Sequence, residues 1–199
     1  MSGAVRTLTI AGADMARHLR DLAELRIAVF AEFPYLYHGD LAYEQEYLRE
    51  FAAAPGSALV VAFDGRRVVG AATASPMMAQ KEDFRAPFEL RGYNTQTMYY
   101  FGESVLLAEY RGQGLGHAFF DGREAAARAA GATHATFAAV VRADDHWARP
   151  DDYRPLDGFW RRRGYVKVPG LTTQFSWREL GERVESPKTM QYWMGSLAA

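Results

Sequence analysis

The sequence predicts a mixed α/β fold, and three observations support that class. Short apolar runs typical of strands alternate with stretches of helical periodicity, in the order β-α-α-β-β-β-α-β-α-β-β. Glycine and proline punctuate the boundaries between these segments. The length of 199 residues, 49% of them hydrophobic, suits one domain with a full core. We therefore expect a single α/β domain over residues 1–199, built around a mixed sheet.

The N-terminal half is predicted to hold three strands and three helices. Asp14 and Asp40 are candidate N-caps, because a carboxylate accepts hydrogen bonds from the first N–H groups of a helix. The pair Asp64-Gly65 is typical of a tight β-hairpin turn. The predicted elements, in order, are a strand at 6–10, a helix from 14 to about 34, a helix at 40–51, strands at 58–63 and 67–75, and a short helix at 81–90.

The C-terminal half is predicted to carry the remaining strands and two further helices. Gly131 suits the left-handed residue that follows a helix, and Glu124 and Arg128 are spaced to pair along one helix face. The apolar segment 190–194 is a candidate for sheet pairing or for a homodimer interface. The predicted elements, in order, are a strand at 98–107, a helix at 114–130, a strand at 133–141, a loop at 142–153, a helix at 155–163, and strands at 165–168, 173–177 and 190–193.

The composition argues against several classes of function. A formal net charge of −1 gives no overall attraction to nucleic acid or to anionic lipid. Without cysteine, the chain has no disulfide framework, no thiolate metal site and no cysteine nucleophile. No apolar run approaches the roughly 20 residues that cross a bilayer, and the first ten residues do not resemble a signal peptide. We expect a cytoplasmic protein without a metal, with neither nucleic acid nor membrane as a partner.

The most informative segment is the glycine-rich stretch from Glu109 to His117, between a predicted strand and a predicted helix. Glycines at 112, 114 and 116 let the backbone approach a ligand, and the helix start offers unpaired N–H groups. Together they predict a phosphate site. The spacing is neither the Gly-x-Gly-x-x-Gly of dinucleotide folds nor a Walker loop. A glycine-rich turn that binds no ligand is the alternative.

Residues 111–116, Arg-Gly-Gln-Gly-Leu-Gly, match the Arg/Gln-x-x-Gly-x-Gly/Ala signature of the GNAT acetyltransferase superfamily, and residues 105–110 resemble the strand and lead-in before that signature. The order of elements is also similar over about the whole chain. The resemblance implies a mostly antiparallel sheet of about seven strands, flanked by about four helices, with a splayed central strand pair. It also implies acetyl-CoA as the acyl donor.

The resemblance further implies roles for particular residues. Arg111 would add positive charge near the pyrophosphate of the donor. The pantetheine arm would pair with the backbone of Ser104, Val105 and Leu106, like an additional strand. The pyrophosphate would accept hydrogen bonds from the backbone of Gly112, Gln113, Gly114, Leu115, Gly116 and His117.

One family position departs from the pattern. Gly164-Tyr165 fits the Gly-Phe end of a second family block, but Trp160 stands where many members carry the tyrosine that protonates the departing thiolate. An indole N–H is not a useful acid. Three explanations remain open: another group such as Tyr153 serves as the acid, solvent protonates the thiolate, or this member is a poor catalyst.

A base and an acceptor pocket are also predicted. Glu103 lies on the strand before the cofactor stretch, and period-two alternation would place it on one face with Phe101 and Val105. A carboxylate held among apolar groups is a stronger base than one in water. The alternatives are a structural glutamate or one that binds a cationic acceptor. Tyr35 and Tyr37 are the candidate substrate-binding residues, although ordinary packing also explains aromatic side chains there.

These observations lead to one functional prediction and two rivals. The prediction is an acyl-CoA-dependent N-acetyltransferase, in which an unidentified amine, on a small molecule or a peptide, attacks the thioester directly. The first rival is a protein of the same fold that binds acyl-CoA as a sensor with little or no turnover. The second is a nucleotide-binding domain of another kind.

Overall fold

The computed structural model describes residues 5–198, which form one seven-stranded sheet and five α-helices. None of the helices in this range has the length and apolar character needed to cross a membrane. The strands are β1 Arg6–Ala11, β2 Ala58–Asp64, β3 Arg67–Pro76, β4 Met98–Leu106, β5 His134–Val140, β6 Val166–Trp177 and β7 Ser186–Ser196. The helices are α1 Leu19–Phe30, α2 Leu41–Ala53, α3 Glu82–Glu89, α4 Leu115–Ala129 and α5 Asp157–Arg162.

The sheet has the strand order β1-β2-β3-β4-β5-β7-β6 and is mostly antiparallel. Its one parallel pair, β4 with β5, extends only from Met98 to Tyr100 on β4 and from His134 to Thr136 on β5. Beyond these residues both strands continue without pairing to each other. The resulting space between them is called the β4–β5 gap below. The predicted fold class, including the splayed central pair, is confirmed.

Helices cover both faces of the sheet, as the alternation along β2 shows. Leu59 and Val61 pack in the core formed with α1 and α2, whereas Val60 and Ala62 pack against α4. Because neighbouring side chains of a strand point to opposite faces, α1 and α2 lie on one side of the sheet and α4 on the other. The sheet therefore has packed apolar side chains on both of its faces.

A β-bulge interrupts β4 beside the β4–β5 gap. Phe101 is paired with Ala74 and Ser104 with Ala72, so Gly102 and Glu103 together oppose Thr73 alone. A bulge reverses the facing of the side chains that follow it and is common beside active sites. The bulge requires glycine at 102, because a Cβ there would clash with Thr73 Oγ1.

Several predicted boundaries need correction. Residues 12–18 form a 3₁₀ helix rather than the start of α1, and Asp14 caps nothing; it pairs with Arg17 at 3.3 Å. Asp40 does cap α2, accepting from the Tyr43 N–H at 2.8 Å. The first two late segments join into the single strand β6, and segment 190–194 lies within β7, paired with β5 and β6. Five α-helices, rather than about four, accompany the sheet.

Substitution of the bulge glycine tests this account of β4. Gly102→Ala should lower the free energy of unfolding by about 1–3 kcal/mol, because the added methyl must displace Thr73. Urea denaturation measures it. Gly158→Ala is the matched control: its methyl would meet nothing closer than Arg162 Nη1 at 3.5 Å, and alanine favours the helix. Equal stability of Gly102→Ala and wild type would contradict the assigned bulge.

Candidate active site

The glycine-rich loop presents a row of backbone donors at the start of α4. Gly112 and Gly114 have φ angles of +76° and +83°, which side-chain-bearing residues rarely adopt. Within residues 5–198, the N–H groups of Gly112, Gln113 and Gly114 donate to no acceptor, and Gly114 provides no side-chain cap. Leu115 and Gly116 open the helix, where N–H groups lack intrahelical partners. Five consecutive donors are therefore available to an anion.

His117 is the sixth residue that was predicted to bind through its backbone, and the structure removes it from that set. Its N–H donates to the Gly114 carbonyl at 3.0 Å, as part of the first helical turn. Its ring meets the edge of Phe159 on α5, with centroids 4.9 Å apart. The donor row therefore ends at Gly116, and His117 helps to position α5 beside the loop.

The edge of β4 that faces the β4–β5 gap offers backbone groups from two of the three residues predicted for it. Leu107 N–H donates to the Val69 carbonyl at 3.1 Å, toward β3. Alternation along an antiparallel strand turns the backbone of Val105 in that same direction and the backbones of Ser104 and Leu106 toward the gap. The prediction that Val105 offers its backbone to a ligand in the gap is therefore wrong.

Arg111 spans the open end of the gap. Its Nε donates to the Leu106 carbonyl at 3.2 Å, and its Nη1 pairs with Glu32 at 2.9 Å. Both carboxylate and guanidinium are about half exposed, and such pairs contribute little to stability. A phosphate group can therefore take the place of Glu32 at modest cost, which suits the predicted role of Arg111.

Glu103 lies on the face of the sheet covered by α1, and this corrects its predicted neighbours. Phe101 packs on the opposite face, 6.0 Å from the Phe120 ring of α4, because the bulge separates the two residues. Val105 does share the face of Glu103, in the core with α1. The surroundings of Glu103 are not only apolar, because its Oε2 pairs with the charged Arg26 Nη1 at 2.8 Å.

The second carboxylate oxygen of Glu103 is buried and accepts no hydrogen bond in the described part of the chain. Such orphaned buried acceptors are rare in folded proteins and cost free energy, so each calls for an explanation. Oε1 is therefore placed to accept a proton or a hydrogen bond from a ligand.

Arg26 holds Glu103 within a buried ionic network. The guanidinium also pairs with Glu44, a fully buried residue whose Oε1 accepts from the Tyr37 hydroxyl at 2.7 Å. Burial lowers the pKa of Arg26, but attraction to Glu103 and Glu44 outweighs it and leaves that pKa above its ordinary value. Two carboxylates thus face one guanidinium in this network. Its excess negative charge favours a cationic ligand.

Tyr37 and Tyr35 lie on the connection between α1 and α2. Burial, and the hydrogen bond to Glu44, raise the pKa of the Tyr37 hydroxyl. The Tyr35 carbonyl accepts hydrogen bonds from Trp177 Nε1 at 3.0 Å and from Arg142 Nη2 at 3.3 Å. These bonds attach the connection to the end of β6 and to the segment that follows β5. Burial raises the pKa of Tyr35 to about 12. Both phenols therefore remain protonated at neutral pH.

Tyr153, the predicted acid, lies on the loop before α5. Its ring meets Phe33 edge-on at 4.7 Å, and it lies near enough to Tyr35 to raise the pKa of that hydroxyl. Burial raises the pKa of Tyr153 too, so the phenol retains its proton at neutral pH. Trp160 is partly buried and packs against the core residues Phe137 and Trp193, each with its ring centroid 5.0 Å away.

Arg161 and Arg163, two members of the basic run 161–163, face carboxylates of the chain. Arg163 pairs with Asp121 at 2.7 Å and with Glu124 at 2.9 Å, both on α4. Arg161 lies 3.8 Å from Asp157, one turn earlier on α5. Within residues 5–198, no three His, Asp or Glu side chains are grouped to hold a metal ion.

Sequence reasoning missed Arg26 and Glu44, although a signal was present. On α1, Arg26 occupies the position four residues after Leu22, on a stripe that is otherwise apolar. On α2, Glu44 occupies the same kind of position, four residues before Leu48. A charged residue on the apolar stripe of each of two neighbouring helices predicts a buried ion pair between them.

Removal of the shared cation tests the network. Arg26→Met leaves two carboxylates without a counter-charge, and we expect a loss of about 3–5 kcal/mol in the free energy of unfolding. Urea denaturation at pH 7 measures this. Arg20→Met, which breaks only the exposed pair with Glu24, should cost less than about 1 kcal/mol.

Comparison with known proteins agrees with this architecture. The model of the GNAT acetyltransferase family matches residues 22–151. No functionally curated protein matches the sequence significantly. A GNAT-family protein from Desulfovibrio desulfuricans is 16% identical, covers 98% of this chain and 100% of its own, and superposes with a TM-score of 0.60.

Two further solved structures have informative descriptions. The protein yncA of Salmonella typhimurium, determined with acetyl-CoA, is 10% identical over 98% of this chain and 95% of its own, with a TM-score of 0.61. A ribosomal-protein-alanine N-acetyltransferase from Brucella melitensis is 14% identical over 95% and 99%, also with a TM-score of 0.61. At such identities these structures establish the fold alone. The family model spans more than half of the sequence, and the chain belongs to the GNAT family of acetyltransferases.

Proposed function

We propose that this chain, as a single domain, is an acyl-CoA-dependent N-acetyltransferase that moves an acetyl or other acyl group from coenzyme A to an amine. One observation carries the proposal: five unengaged backbone donors at the start of α4 lead directly to the unpaired edge of β4. The donors fit a pyrophosphate, and the edge fits the amide groups of a pantetheine arm. Acetyl-CoA carries both groups in that order.

The donor would be held mostly by backbone. The pyrophosphate would accept hydrogen bonds from residues 112–116, while Arg111 exchanges Glu32 for phosphate oxygen. The pantetheine amides would pair with Ser104 and Leu106, and the Leu106 carbonyl would exchange Arg111 Nε for a pantetheine N–H. Bound in this way, acetyl-CoA supplies an activated acyl group beside the bulge of β4.

The amine would be received on the face of Glu103. An alkylamine is protonated at neutral pH, and the excess negative charge of the network with Arg26 and Glu44 favours its ammonium form. Glu103 Oε1 would accept one proton from it. The freed nitrogen lone pair then forms the C–N bond with the thioester carbonyl carbon, the C–S bond breaks, and the nitrogen gives its second proton to water, which leaves a neutral amide. Because both reactants are held side by side, proximity provides much of the rate gain.

The departing thiolate needs a proton. Tyr153 keeps its own at neutral pH and lies beside the connection that carries Tyr35, so it is the candidate donor. Solvent is the alternative, since a thiol of pKa about 8.5 is a fair leaving group. Trp160 cannot donate this proton, because an indole N–H is not a useful acid and its ring packs against Trp193.

The acceptor is proposed to be an amine on a small molecule or a peptide. Tyr35 and Tyr37 border its approach, between α1 and α2, and the Tyr37 hydroxyl is already engaged by Glu44. Tyr37 would therefore act by holding the network in place, and Tyr35 by contact with the acceptor.

A second candidate function is acyl-CoA sensing without turnover by the same fold. The observation in its favour is the packing of Trp160 at the position where the family tyrosine is expected. A sensor would share the donor site with the acetyltransferase and would differ only in that no acceptor becomes acylated.

Donor binding is tested by calorimetry with acetyl-CoA, desulfo-CoA, ATP and NAD. We expect the CoA compounds to bind and the two nucleotides to bind at least about tenfold more weakly, because only CoA offers the pantetheine arm. Gly114→Glu should abolish binding, since it places a carboxylate and a strained φ at the donor row. Gly158→Glu, on exposed α5, is a matched control. Absence of CoA binding by the wild type would leave the loop as a structural turn.

Proton transfer is tested with a panel of primary alkylamines and of peptides with free N-termini, followed by thiol release from acetyl-CoA. On any amine that the wild type acetylates, Glu103→Gln should lower kcat/KM by about a hundredfold or more. Glu46→Gln, an exposed change on α2, should not lower it. Tyr153→Phe should lower kcat without a matching change in KM, if the phenol protonates the thiolate. Unchanged turnover by Glu103→Gln would show that another group takes the proton; tight CoA binding with no acylated amine would favour the sensor.

A further inference from the structure

Arg123 is a buried arginine without a carboxylate partner. The residue is 2% exposed and lies on the side of α4 that faces the sheet. Its only hydrogen bond in the described chain runs from Nε to the Phe119 carbonyl of its own helix, at 3.2 Å, and it forms no ion pair there. Nη1 and Nη2 therefore have no acceptor within the described chain.

The carboxylates near Arg123 are committed elsewhere. Glu103 and Glu124 are close enough to raise the pKa of Arg123, yet burial dominates and lowers it to about 10. Glu103 pairs with Arg26 at 2.8 Å, and Glu124 with Arg163 at 2.9 Å. Arg123 therefore remains charged at neutral pH, and nothing in residues 5–198 neutralises it by direct contact.

Packing alone does not account for a charge at this position. The guanidinium carbon lies 4.5 Å from the ring centroid of Phe101 and 4.7 Å from that of Phe120. Cation–π contacts of this kind offset part of the desolvation, but a methionine or leucine would fill the space without that penalty. A buried cation with free donors is the arrangement expected of a site that binds an anion.

The location identifies which anion could arrive. Phe101 directly follows Tyr100, the last residue of β4 that pairs with β5, and Phe120 packs against Phe137 of β5 at 5.9 Å. Arg123 therefore lies near the closed end of the β4–β5 gap. The glycine loop lies at the open end, so a donor that enters along β4 directs its acyl group toward Arg123.

We infer that Arg123 forms an acyl subsite that recognises a carboxylate at the far end of the acyl group, so that the preferred donor is the CoA thioester of a dicarboxylic acid. The planar guanidinium can donate two parallel hydrogen bonds to such a carboxylate. The inference rests on the proposed function, since it takes the glycine loop and the gap as the CoA site.

The test is calorimetry on the whole protein with matched thioesters. Malonyl-, succinyl- and glutaryl-CoA are compared with propionyl-, butyryl- and valeryl-CoA, which have the same number of acyl carbons but a methyl end. At least one dicarboxylic thioester should bind roughly tenfold or more tightly than its neutral counterpart. Arg123→Met should remove that preference and leave the affinity for the neutral thioesters within about threefold of wild type.

Two controls separate the possible results. Arg128→Met removes an exposed arginine from the same helix and should keep the preference; Arg123→Lys should keep part of it. Circular dichroism checks that each variant is folded, and the wild-type comparison decides the question even if Arg123→Met does not fold. Equal binding of charged and neutral thioesters would overturn the acyl subsite and leave the proposed function intact. If no CoA compound binds at all, the proposed function fails and the subsite with it.

Discussion

The early separation of β4 from β5 is the constraint on which the rest of this molecule depends. Parallel pairing stops after three residues, at Tyr100 and Thr136, and leaves the part of β4 that follows Tyr100 with an open edge inside the sheet. An open edge normally costs stability or invites aggregation. The glycine loop stands at its entrance.

The bulge at Gly102 turns this opening into a site with two faces. Without it, Glu103 would point into the same core as Phe101, among the aromatic side chains beneath α4. With the bulge, Glu103 faces α1 and pairs with Arg26, whereas Arg123 lies on the face covered by α4. One extra residue in β4 therefore places Glu103 on the opposite face of the sheet from Arg123.

Buried charge is costly, and its distribution here shows where the chain departs from simple packing. Arg26 and Glu44 occupy apolar-stripe positions of α1 and α2, respectively, where leucine would be the ordinary choice. Their pairing satisfies most of the polar atoms involved but leaves Glu103 Oε1 without a hydrogen bond. Because a half-satisfied network is less stable than an apolar core, function is the reasonable cause of its presence.

The sequence by itself determined the local features: the order of most elements, the Asp40 cap, the glycine loop and the family. Each depends on residues within a few positions of one another, so spacing reveals it. Tertiary structure alone decided the face of Glu103, the partners of Arg26 and Glu44, and the isolation of Arg123. A bulge changes facing through one extra residue in a strand pairing, which no period-two pattern records. Ion pairs across helices depend on packing between segments distant in the chain, and spacing cannot show which charges are left over.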